Sequence, residues 1–299
     1  MGSGDAQALA RLTRLNTDEL IRSFRLRAPR LFTPLYRRVL DVPSGALARR
    51  VLDFDRGVRE DGLQAASRRF AGGFVRTLEV RGAERIPPAG PVLLCSNHPG
   101  QTDSIALFSA IPRRDLRAIA AERDLLRALP NLRGLLLEVP EEAEKRSRVV
   151  LEAARHLRAG GALLTFPAGA IEPDPAIHAD AVLSIDSWSD SVASLARVVS
   201  GLVVLPVIVS GVLSPAALRS LLPRLYRGRK QREWVAATIQ VMLRRYRNVT
   251  VRVSIGEPLR FGSRESRSEI MEAVRREGLR LVLEARAAAQ RGRRHGSVG

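Results

Sequence analysis

The residues best placed to do chemistry lie in one short segment, Ser96-Asn97-His98-Pro99-Gly100-Gln101-Thr102-Asp103. His98 and Asp103 stand five positions apart. On a continuous helix that spacing would put them about 140° apart, on different faces. Pro99-Gly100 prevents a continuous helix and lets the chain turn back. Asp103, at the start of a following helix, can then accept a hydrogen bond from one ring nitrogen of His98. The other nitrogen is left free as a general base. A plainer reading fits the same residues, with Asp103 as a helix cap and His98 as a loop histidine satisfied by its neighbours.

A second loop, Phe166-Pro167-Ala168-Gly169-Ala170-Ile171-Glu172-Pro173, also follows an apolar run. Gly169 allows backbone to approach a ligand closely, and Pro167 stiffens the turn. Glu172, Asp174, His178 and Asp180 cluster beyond it, but no convincing third ligand joins His98 and Asp103, so no metal is expected. Cys95, the single cysteine, lies in an apolar strand and reads as a core residue rather than a nucleophile.

The elements that must hold these loops alternate. Thr77-Leu78-Glu79-Val80 has strand periodicity, and Pro91-Val92-Leu93-Leu94-Cys95 reads as a buried strand. Further strands are expected near 116–120, 135–139, 162–166, 203–210 and 249–255. Helices are expected near 103–110, from 122, and at 142–158, 188–199, 215–223, 231–245 and 267–290. The pattern predicts an α/β fold, a mostly parallel central sheet flanked by helices, with an N-terminal helical extension. Both candidate loops then leave the carboxyl ends of strands, where such folds place their sites. Three segments are expected: a basic helical segment over 1–76, a catalytic domain over 77–262, and an amphipathic helix with a disordered basic tail over 263–299. The 21 uncharged residues between Arg197 and Arg219 are long enough to span a membrane. Pro206, the flanking Gly201 and Gly211, and the β-branched run favour a buried strand instead.

The 299 residues carry a net charge of +18, unevenly placed. Residues 1–76 hold a net +7, residues 77–210 a net −2 and residues 211–299 a net +13. Arginine supplies nearly all of it, since only Lys145 and Lys230 are lysines. That bias alone fits an arginine-favouring composition. It also fits adhesion to a polyanion. Phe24, Phe32, Tyr36, Phe70, Phe74, Tyr226, Trp234 and Tyr246 are interleaved with the arginines of the flanks. Rings beside guanidinium groups suit the headgroup boundary of an anionic membrane. No nucleic-acid-binding fingerprint is present, so no nucleic-acid partner is expected. One cysteine and no unbroken apolar leader fit a cytoplasmic protein, peripheral on the inner face of the cell membrane.

Taken together, the two loops resemble a known family. Val80-Arg81-Gly82-Ala83-Glu84-Arg85-Ile86-Pro87, followed by Pro91 through His98, is similar to the entry of the H-x4-D block of the glycerolipid acyltransferases, the PlsC-type enzymes. Phe166-Pro167-Ala168-Gly169 resembles their F-P-E-G block. Leu205-Pro206-Val207 resembles their late V-P-V block, and Val251 through Leu259 their final strand and exit. The resemblance covers about 77–262, in the right order. It implies acyl transfer from an acyl thioester, acyl-CoA or acyl carrier protein, to a lysophospholipid-like or other lipid acceptor. His98 would be the general base and Asp103 its orienting partner, with no covalent acyl-enzyme and no cofactor. Asn97, Phe166, Pro167, Gly169 and Glu172 would form the substrate-binding set.

The departures bear on the acceptor. Ala168 stands where the family block has Glu, and Ile171 where it has Arg. The stretch Gly134 to Pro140 lacks the family's other phosphate-binding arginine. A phosphate without charge-assisted donors is a poor fit, which points away from glycerol-3-phosphate and lysophosphatidic acid. A catalytically silent, membrane-binding relative serving as a scaffold is the alternative.

Overall fold

The computed structural model describes residues 3–23, 33–100, 102–140, 142, 144 and 146–295. Phe24, Phe32, Gln101 and the last four residues of the chain lie outside the described residues. The chain opens with three helices, α1 (Ser3–Ser23), α2 (Thr33–Asp61) and α3 (Leu63–Ala71), the last two separated by Gly62 at φ +85°. Strands β1 (Thr77–Arg81) and β2 (Val92–Ser96) follow, then α4 (Asp103–Ala110) and β3 (Leu116–Ala121). A short α5 (Pro130–Arg133) leads to β4 (Leu136–Val139), α6 (Arg146–Arg158) and β5 (Ala162–Thr165). After a long loop come α7 (Ala181–Ser184), α8 (Ser191–Val198) and β6 (Val203–Ser210). The short α9 (Pro215–Leu218) and α10 (Leu221–Arg224) precede α11 (Arg229–Met242). Strands β7 (Thr250–Ile255) and β8 (Leu259–Arg260) and the helix α12 (Arg267–His295) complete the chain.

The strands form one sheet in the order β1-β7-β6-β2-β5-β3-β4, with β8 also paired to β6. The run from β6 to β4 is parallel throughout, and β7 and β8 pair antiparallel with β6. The fold is therefore α/β, with a mostly parallel central sheet flanked by helices. Alternation along the strands feeds two cores, one on each face. Val92 and Leu94 of β2 join Leu205 and Val207 of β6 on one side, together with Leu12, Ala48, Phe54 and Val58 of the N-terminal helices. Leu93 and Cys95 face the other side, with Val204, Ile208 and the buried face of α12.

Several expectations need correction. The helix expected over 215–223 is two separate turns, α9 and α10. The basic tail expected to be disordered from Arg291 continues as helix to His295. Ala287-Ala288-Ala289-Gln290 is strongly helix-forming, and the preceding row Ile270, Val274, Leu281 and Val282 is buried. The uncharged run is the fully buried strand β6, and no helix among the described residues is long and apolar enough to cross a membrane. Two aromatics expected at a lipid surface point elsewhere. Phe70 and Phe74 pack ring against ring at 4.8 Å beside the N-terminal core, and the guanidinium of Arg247 lies over Phe74.

Candidate active site

Because β2, β5 and β6 are parallel neighbours, their carboxyl ends open on one edge of the sheet. The His98 loop leaves β2 there, the Phe166 loop leaves β5, and the turn at Gly211 leaves β6. Asn97 ties the first to the third. Its side-chain amide donates to the Val209 carbonyl at 3.0 Å and its oxygen accepts the Val209 N–H at 2.7 Å. The side chain thus completes the ladder where β2 departs from β6.

His98 Nδ1 lies 2.7 Å from Asp103 Oδ2. The turn at Pro99-Gly100 brings them together, since the same oxygen accepts the Gly100 N–H at 3.0 Å. The other oxygen accepts the Ser104 N–H at 2.5 Å and the Ser104 hydroxyl at 3.2 Å. The Asp103 carboxylate is buried, whereas the imidazole keeps about a third of its surface, 30%, open. The Phe166 ring lies against it, with centroids 4.7 Å apart. Burial disfavours the imidazolium, but the hydrogen bond and charge of Asp103, with the charge of Glu172, outweigh it. The His98 pKa is raised above its ordinary value.

Glu172 crosses behind this pair. One carboxylate oxygen accepts the His98 main-chain N–H at 2.9 Å, and the other accepts the indole N–H of Trp188 at 3.1 Å. Glu172 returns its own N–H to the His98 carbonyl at 2.9 Å. Only 4% of the residue is exposed. Burial pushes its carboxyl pKa up, against the hydrogen bonds from Trp188 and His98.

A partly open histidine on a buried carboxylate, at the carboxyl edge of a parallel sheet, is the arrangement that the motifs anticipated. Residues 77–210, which contain both loops, match the family model described as Acyltransferase. This segment is similar to the acyltransferases. The resemblance read from the motifs is borne out, and with it an acyltransferase enzyme. The match stops at the end of β6, while the sheet continues through β7 and β8. Among solved structures, the 1-acyl-sn-glycerophosphate (LPA) acyltransferase PlsC from Thermotoga maritima is 18% identical, with a TM-score of 0.44, covering 94% of this chain and 95% of that chain. No curated protein matches.

Within the acyltransferase domain, the expected substrate-binding residues divide. Phe166 lies against the His98 ring, and Pro167 and Gly169 follow it in the same loop. Gly169, at φ +63°, has open space where a side chain would begin. Asn97 and Glu172 were expected to touch substrate, yet both are buried with their polar atoms engaged by protein. No local signal in the sequence points to Trp188, and Asp174 stands out there only as one member of a cluster with Glu172, His178 and Asp180. Asp174 instead collects the main-chain N–H groups of Ala176 and Gly211 at 2.9 Å and of Leu213 at 3.2 Å, fastening the Phe166 loop to the exit of β6. No group of three or more metal-ligating side chains occurs among the described residues. Cys95 is buried, and burial pushes its thiol pKa up, far from a nucleophile's range.

An apolar cavity of about 220 Å³ lies between the N-terminal helices and the domain. Leu47, Val51, Phe70 and Phe74 line one side, and Thr102, Ile105 and Ala106 of the His98 loop and α4 line another. Its wall therefore includes the residues on either side of Asp103.

Proposed function

We propose that this protein moves a fatty acyl group from an acyl thioester, either acyl-CoA or an acyl carrier protein, to a hydroxyl of a lysophospholipid-like or other lipid acceptor, a step of phospholipid assembly. The observation that carries this reading is the 2.7 Å bond between His98 Nδ1 and the buried carboxylate of Asp103. With Nδ1 engaged, Nε2 is the basic nitrogen available to an acceptor. It takes the hydroxyl proton as the acceptor oxygen attacks the thioester carbonyl. The tetrahedral intermediate then collapses, the carbon–sulfur bond breaks, and the imidazolium returns its proton to the departing thiolate. Asp103 orients the ring and balances the imidazolium. No acyl-enzyme is required, because the acceptor supplies the nucleophile.

The apolar cavity beside Thr102 and Ala106 is a suitable seat for the acyl chain. Ile171, half exposed where the resembling block has Arg, supports an acceptor without a phosphate at that position. The protein would work peripherally, on the inner face of the cell membrane. Thiol release from long-chain acyl-CoA, with acceptors with and without phosphate on anionic liposomes, tests the reading. Release that needs an acceptor and disappears in both His98→Ala and Asp103→Asn is expected. No release from either acyl-CoA or acyl carrier protein, with liposome binding retained, would favour the scaffold.

A further inference from the structure

The segment after β6 carries a surface that the acyl-transfer chemistry does not use. Between Pro215 and Arg232 the chain has six basic side chains and no carboxylate. Within it, α10 is fixed from below by the buried Pro223 and by Leu222 and Tyr226, which pack on the core. Leu221 and Leu225, four residues apart and so on one side of the turn, point outward at 81% and 77% exposure. They are the most exposed large apolar residues described. Arg219, Arg224 and Arg227 flank them, all exposed.

The segment that carries this surface is tied at both ends to the loops around His98. The chain leaves β6 at Gly211, whose N–H is held by Asp174 at 2.9 Å, and the Val212 side chain lies against Gly100 of the His98 loop. Farther on, Arg229 pairs with Asp180 of the loop beyond Phe166 at 2.5 Å.

We propose that Leu221 and Leu225 insert into the surface of an anionic bilayer while the surrounding arginines bind its headgroup phosphates. Two outward leucines on one turn suit acyl chains, and the exposed Arg219, Arg224 and Arg227 around them complement anionic lipid. The next most exposed apolar residue, Val42 of α2, adjoins Asp41, a charge that an anionic surface repels. The inference rests on the proposed lipid-directed reading for its purpose, since docking here holds the enzyme at the surface that supplies the acceptor.

The test is co-sedimentation of the full chain with phosphatidylcholine vesicles, with and without phosphatidylglycerol. The wild type is expected to bind the phosphatidylglycerol vesicles, and added salt to weaken that binding. A Leu221→Ser/Leu225→Ser variant should lose at least about tenfold in partitioning with an unchanged thermal midpoint. Arg219→Gln/Arg224→Gln/Arg227→Gln should lose the preference for phosphatidylglycerol. Unchanged binding by the leucine variant, no binding by the wild type, or binding to duplex DNA in place of vesicles would each overturn the proposal. If the wild type releases no thiol yet the leucine variant still loses vesicle binding, the docking surface stands and the acyl-transfer reading falls. Thiol release with vesicle binding indifferent to the leucines has the opposite meaning.

Discussion

His98 and Glu172, 74 residues apart, exchange two hydrogen bonds: the His98 N–H enters the Glu172 carboxylate at 2.9 Å, and the Glu172 N–H enters the His98 carbonyl at 2.9 Å. The backbone of His98 is thereby locked to the loop that carries Phe166, and the ring of Phe166 lies tilted against its imidazole. Trp188 closes the far side of the carboxylate, so Glu172 acts on His98 from behind rather than on substrate.

Replacing Glu172 with Ala should orphan two buried donors, the His98 N–H and the Trp188 indole N–H. The expected loss is about 1–3 kcal/mol for each, read as a lower thermal or denaturant midpoint. Glu172→Gln presents an amide N–H₂ to one of those donors and should also be destabilised. It should further lower the His98 pKa by removing a nearby negative charge. An E172Q enzyme whose acid limb does not move would sink this account.

The pH dependence follows from His98. Its unprotonated ring is the base, and its pKa is raised, so kcat/KM should rise with pH through a value above the ordinary ~6.5. Asp103→Asn removes the hydrogen bond and charge that outweigh burial, so the limb should move to lower pH. The plateau should fall by about 10²-fold or more. Stability runs the other way. A raised folded-state pKa contributes fully below the unfolded value of about 6.5 and is lost as pH rises through the folded value. An Asp103→Asn profile superimposable on the wild type would refute the pairing.

The sequence made the His98–Asp103 pair legible because the turn that joins them is local: Pro99-Gly100 and a helix start lie within six residues. The β6 strand was legible for a similar reason, since β-branched residues around Pro206 do not suit a spanning helix. Glu172 was not legible as a support. Its direction depends on Trp188 and on the register of β2 with β5, neither of which leaves a local pattern. Nor was Asn97, whose partner Val209 is brought close only by the pairing of β2 with β6. The helix expected over 215–223 breaks because Pro223 has no N–H to donate back along it and the Ser220 hydroxyl donates to the Ala217 carbonyl.

Asn97 gives a separable prediction. Its amide satisfies both the N–H and the carbonyl of Val209, in a fully buried strand. Asn97→Ala should cost about 1–3 kcal/mol for each orphaned group, measured by denaturant unfolding. If its role is support, activity at low temperature should persist while the folded population does. A large rise in KM without loss of stability would instead restore Asn97 to the substrate-binding set.

The cavity prediction concerns Ala106, which lies on α4 three residues beyond Asp103 and lines the apolar space. If that space holds the acyl chain, Ala106→Phe should shorten the preferred donor. Each excluded methylene forgoes about 0.8 kcal/mol of burial, or about fourfold in kcat/KM. Short-chain donors should be little affected, so the ratio of long- to short-chain rates carries the result. Overpacking will also cost about 1–3 kcal/mol of stability, which lowers both rates together and leaves the ratio unchanged. A chain-length profile identical to the wild type, in folded protein, would place the acyl chain elsewhere.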